Sequence, residues 1–266
     1  SGNGRIHHWI LHNEVDQNLS WTDMGAQPLL RYVDTYEKSM RLVSNIVRQY
    51  DPNAYVLASF TSSWNKAHST DGFTAKSMLD NIVAYSNAEG DYRCPCRAWR
   101  MAPCRCIRGA LYIVAYSNAE GDYRWGVAAH PYPQNFFKPK FWEADTEATY
   151  SENSGYSTFK NIEVISNWML RREHYYKGEE KRILFFSENG VNSLDNSTYN
   201  LKVQAAGAAW AWKKTMQNAG VDAIMWHNWW DHPAEVLLSS ECRRGTSGRP
   251  PGQTKNPQSS TNTFPS

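Results

Sequence analysis

Apolar residues fall in short continuous runs separated by longer amphipathic stretches. Residues 6–12 (IHHWILH), 54–60 (AYVLASF), 125–133 (WGVAAHPYP), 182–189 (RILFFSEN) and 221–230 (VDAIMWHNWW) read as strands. Between them the apolar positions recur at helical spacing. Asp34 predicts the cap of a helix carrying Tyr36, Met40, Val43, Val47 and Tyr50, stopped by Asp51-Pro52. Residue 74 to about residue 87 predicts a second helix through Met78, Leu79, Ile82 and Val83. Residues 159 to about 175 predict a third, with Ile162, Ile165, Trp168 and Met169 inward. Residues 199–218 form an Ala-rich fourth, closed by Gly220.

The order is strand–helix four times, then a last strand. The strands are continuous rather than alternating, which marks a parallel sheet covered on both faces. Right-handed crossovers then give either a doubly wound sheet or a barrel. Polar residues decide between them. Asn13, Glu14, Ser59, His130, Tyr132, Glu188, Trp226 and His227 all sit at the C-terminal ends of strands, where a barrel places its chemistry. No glycine-rich phosphate loop follows a strand, which argues against a nucleotide-binding sheet. The expected fold class is α/β, a (β/α)8 TIM barrel. Such a barrel needs eight strands and typically about 250 residues. Five strands are counted here, and residues 1–5 alone precede the first. The expectation is therefore the C-terminal part of a barrel, about strands four to eight.

One segment breaks the pattern. The string IVAYSNAEGDYR occurs at 82–93 and again, unchanged, at 113–124. A structural repeat keeps its pattern and lets its letters drift, so identity of this kind reads as a recent duplication. The filler between the copies holds Cys94, Cys96, Cys104 and Cys106. Its C-x-C spacing and lack of accompanying histidines do not fit a zinc site. His7 and His8 point to opposite faces of a strand and do not make one either. The expected organisation is a partial barrel over 1–237, an anomalous insertion at about 94–124, and a disordered tail over 238–266 that is rich in Pro, Gly and Ser. No metal or cofactor is expected.

Composition narrows the partners. Net charge is +2, which leaves no basic footprint for nucleic acid. No run of about 18 apolar residues suggests a membrane span. The chain carries 12 Trp and 15 Tyr, rings that suit stacking on the C–H faces of sugars. Glu14 and Glu188 each end an apolar run. A carboxylate there is costly unless a site needs it, and two together suggest an acid/base and a nucleophile on one substrate.

Asn13-Glu14, His130-Pro131-Tyr132, Ser187-Glu188-Asn189 and Trp226-His227-Asn228 occur in this order, each ending a strand. Together they resemble the clan A glycoside hydrolases, (β/α)8 enzymes with catalytic glutamates on strands four and seven. The strings GRIHHWILHNEVD, WTDMG and WGVAAHPYP are also similar to an uncharacterised bacterial family of glycosyl-hydrolase-like barrels. The resemblance covers about residues 4–236 apart from the filler. It implies a retaining glycosidase acting on a polysaccharide or oligosaccharide. Glu14 would be the acid/base and Glu188 the nucleophile. Asn13 would bind the sugar 2-hydroxyl, and His130 or Tyr132 would orient Glu188. Trp226 would floor the sugar site, with His227 also binding substrate and Trp229 or Trp230 extending the cleft. The clan's strand-two arginine has no counterpart here. The complete protein would be monomeric and secreted or periplasmic. The rivals are a non-catalytic carbohydrate-binding barrel and a truncated gene product without function.

Overall fold

A computed structural model describes residues 4–87 and 121–227. Trp229, the four filler cysteines and the expected tail lie outside them. Five strands form one parallel sheet in chain order: β1 (His8–Leu11), β2 (Tyr55–Phe60), β3 (Trp125–Ala129), β4 (Leu184–Phe186) and β5 (Ala223–Ile224). The order never reverses, unlike that of a doubly wound sheet, which turns back at a switch point. Helix α1 (Leu29–Val47) links β1 to β2, and α2 (Ala75–Asn87) follows β2. The β3–β4 crossover carries two short helices, α3 (Phe141–Ala144) and α4 (Glu163–Met169), and α5 (Thr198–Gln217) links β4 to β5.

Burial follows position in the sheet. The central strand β3 is buried along its whole length and β2 is nearly so. Leu57, Phe60, Trp125 and Val127 are completely enclosed. Gly126 is forced by this crowding, because a Cβ there would lie 2.5 Å from Ile183 Cγ1. Strand β1, an edge of the sheet among the described residues, is exposed along most of its length. Ile6, Trp9 and Ile10 are exposed there, and Ile6 and Trp9 line a hollow of about 450 Å³ with Val43, Ile46 and Tyr50.

Element boundaries depart from the sequence expectation where local chemistry outweighs periodicity. Helix α1 starts at Leu29, since Pro28 holds the extended φ of −60° and ψ of 144° that opens it. Asp34 is therefore interior and pairs with Lys38 at 2.9 Å. Tyr50 lies past the helix end and is exposed. The third expected helix shrinks to α4 and a 3-10 turn at Arg172–His174. Strands β4 and β5 are shorter than their apolar runs.

The base of the sheet is closed by Arg182, which is 1% exposed. Its guanidinium donates to both Asp122 carboxylate oxygens at 2.7 and 2.8 Å, and to the Tyr123 and His174 carbonyls. It also lies over the Trp125 ring at 4.1 Å. Arg124 meets Glu180 at 3.0 Å. Residues 121–124, counted within the expected insertion, are thus part of the fold. The described parts of the two copies of the repeated string serve different elements. Ile82 and Val83 of the first are buried in α2, while Asp122 and Tyr123 of the second lead into β3. Trp125 Nε1 donates to Ser86 Oγ at 3.3 Å, which brings the described part of the first copy beside the residue that follows the second.

Deleting residues 90–120 leaves the string once and keeps every contact just named. The shortened chain is expected to melt cooperatively at a temperature no lower than the parent's, by calorimetry; a lower one would show that the deleted residues contribute to the fold. Asp122→Ala leaves a buried guanidinium unpaired and is expected to cost about 3–5 kcal/mol in urea unfolding.

Candidate functional site

The C-terminal ends of the strands gather the polar residues. Beyond β1 the chain turns sharply: His12 and Glu14 take positive φ values of 59° and 38°. Such backbone costs energy in residues other than glycine and persists only where neighbours hold it. Here the Glu14 amide donates to Ser59 Oγ at 3.1 Å and the Val15 amide to the Ser59 carbonyl at 2.9 Å. The strained turn aims the Glu14 side chain at the cleft. Asn13 lies half-buried beside it, and its side chain has no hydrogen-bond partner among the described residues.

His130 follows β3 and is 3% exposed. Its amide continues the ladder by donating to the Phe60 carbonyl at 2.9 Å. Its Nδ1 lies 2.9 Å from Glu14 Oε1 and 3.9 Å from Glu188 Oε2. Its Nε2 lies 3.2 Å from Ser187 Oγ and 3.4 Å from Ser59 Oγ. A carboxylate can only accept, so hydrogen on Nδ1 with both hydroxyls donating to Nε2 satisfies every partner. His130 thus holds Glu14 directly, a closer tie than the one to Glu188 that the sequence suggested.

Glu188 follows β4. Tyr132 OH donates to its Oε1 at 3.1 Å, the orienting contact expected of that tyrosine. Asn189 locks the next position by donating to the Phe186 and Met225 carbonyls at 3.0 and 2.9 Å. The two glutamate oxygens nearest His130 are no more than 6.8 Å apart, the sum of their distances to Nδ1. Trp226 stands half-buried with its ring stacked on Phe159, 6.4 Å between centroids and 18° between planes. His227 is beside it, its amide bonded to the Asn189 carbonyl at 2.9 Å. Glu14, His130, Tyr132 and Glu188 are therefore brought together, with Trp226 and His227 on the adjoining strand end.

Three residues of the cleft were given no role from the sequence, although Trp21 and Asp16 lie in the strings WTDMG and GRIHHWILHNEVD. Trp21 donates from Nε1 to Glu14 Oε2 at 3.0 Å. His68 packs against Tyr156 at 5.4 Å; crowding lowers its pKa and the nearby Glu14 charge opposes this. Asp16 is buried under Glu14 and accepts from the Thr61 amide at 2.9 Å and from the Thr61 hydroxyl. Burial pushes the Asp16 carboxyl up to about 7, the Thr61 bonds oppose the rise, and the Glu14 charge adds to it.

The Asp16 value fixes a sign. The folded protein holds this proton more tightly than the unfolded chain, whose carboxyl titrates near 3.8. The stability it contributes is complete below that pH and is lost as pH rises toward about 7. Asp16→Asn is expected to flatten this segment, so that the melting temperatures of parent and variant separate progressively between those limits. Parallel pH profiles would contradict it.

No curated protein matches the chain. A protein-family model described as a family of unknown function (DUF5722) matches residues 1–102 and 111–258. That match spans the strand ends, the cleft and both copies of the repeated string, and the chain belongs to this family.

Proposed function

We propose that the cleft is the active site of a retaining glycoside hydrolase built on an arc of a (β/α)8 barrel. The observation that carries this is the convergence of Glu14 and Glu188 on one buried imidazole at the C-terminal edge of a parallel sheet. Inverting enzymes hold their carboxyl groups about 6.5–9.5 Å apart to admit water, while retaining enzymes hold them at about 5–5.5 Å. The facing oxygens are no more than 6.8 Å apart, near enough for both carboxyl groups to reach one glycosidic bond. Sequential parallel strand order supports the barrel arc, since each crossover adds its strand next to the last.

In this reading a Glu188 oxygen bonds to the anomeric carbon as the bond from that carbon to the leaving oxygen breaks. The leaving oxygen keeps the electron pair and takes the Glu14 proton. Water then attacks the anomeric carbon, Glu14 takes one of its protons, and the carbon–Glu188 bond breaks to restore the carboxylate. Tyr132 orients Glu188, and His130 fixes the plane of Glu14. Trp226, already backed by Phe159, offers its other face to the sugar. A binding module would need the aromatic platform but not two carboxylates on one histidine.

Glu188→Ala is expected to abolish hydrolysis of a panel of aryl glycosides, and sodium azide is expected to restore turnover with a glycosyl azide as product. A dead variant that azide leaves dead counts against the nucleophile. Tyr132→Phe is expected to lower kcat by about ten- to a hundredfold, the range for a hydrogen bond to a charged group, with the fold intact by circular dichroism.

A further inference from the structure

We infer that Trp21 is a positioning residue for Glu14 and lines the subsite for the leaving group; this rests on the glycosidase reading above. Trp21 is 54% exposed, yet its placement is built rather than incidental. It lies on a π-helical turn, Asn18–Thr22, a feature that often marks functional sites. Asn18 fixes this turn by donating to the Gly25 carbonyl at 2.6 Å and accepting from the Met24 amide at 2.9 Å. Tyr32 braces it from α1, bonded to the Thr22 hydroxyl and, at 2.7 Å, to the Val15 carbonyl.

The geometry divides the two Glu14 oxygens. Oε1 faces the hydrogen-bearing Nδ1 of His130 at 2.9 Å, so the two oxygens are held by two different N–H donors. Oε2 is the oxygen that Trp21 Nε1 touches at 3.0 Å. An N–H donor binds a carboxylate oxygen more strongly than a neutral acid oxygen. The Trp21 bond therefore strengthens as Glu14 loses its proton, and it favours the transition state over the ground state. The indole edge is spent on Glu14, while much of the ring stays open to solvent. That surface lies on the proton-donating side of the cleft, where a departing sugar's C–H face can stack on it.

The full-length chain tests this in two ways. In nitrogen-15 spectra the Trp21 indole N–H, assigned by its loss in Trp21→Phe, is expected to shift with pH, and this titration is expected to vanish in Glu14→Gln. An indole signal that ignores Glu14 overturns the contact. With glycosides of the best-cleaved sugar, Trp21→Phe is expected to lose about ten- to a hundredfold in kcat/KM, which reports the leaving-group step, with a phenol leaving group. It should lose less than about twofold with 2,4-dinitrophenol, which leaves without a proton. Trp21→Ala should in addition raise KM. Equal losses on both leaving groups would mark Trp21 as merely structural and overturn the inference alone, with Glu188-dependent turnover intact. No turnover by the parent chain would overturn the glycosidase reading and the leaving-group role with it.

Discussion

Parallel pairing in chain order is the constraint from which the rest follows. Each strand must be returned by a crossover to run the same way as the last, so all the carboxyl ends reach one edge of the sheet. Residues distant in sequence, such as Glu14, His130 and Glu188, become neighbours simply by lying within three residues of the ends of their strands. No long-range side-chain recognition is needed to assemble them. The ladder extends into the site itself, because the His130 and Ser187 amides still donate to carbonyls of the preceding strand. The histidine is positioned by backbone geometry before its side chain makes any contact.

Opposite ends of this sheet use polar groups differently. At the base, Arg182 is saturated by carboxylate, carbonyls and aromatic faces, an arrangement that fixes structure and leaves nothing to react. At the cleft, Glu14 and Glu188 are held by a few directed bonds and keep access to solvent. Backbone strain is found there too, at the positive φ angles of His12 and Glu14. A well-anchored base can sustain a strained rim, because β2 lies between them and is buried along most of its length.

Strand ends were legible in the sequence because a polar letter closing an apolar run has few structural explanations. Glu14, His130, Tyr132 and Glu188 were found in that way. Trp21 was not, since an exposed indole in a loop looks the same in sequence whether or not its N–H has a partner. Asp16 was missed for the opposite reason: next to Glu14 it reads as another loop carboxylate, and only the Thr61 contacts reveal its burial. The start of α1 was misplaced because Asp34 is a good capping residue, whereas Pro28 sets the entry through its ring. Which glutamate His130 serves depends on a side-chain rotamer, which no pattern of letters encodes.

The position of the repeated string bears on how such a protein can evolve. Its described parts, residues 82–87 at the end of α2 and 121–124 before β3, lie at the end of the sheet away from Glu14 and Glu188. Lengthening a connection there costs little in closure entropy, since the cost grows only with the logarithm of loop length. A similar lengthening of the segment after β1 would displace the turn that presents Trp21 and Glu14. Genetic accidents of length are therefore sorted by which end of the sheet they strike. The base is where this lineage can acquire new segments, while the rim must change one side chain at a time.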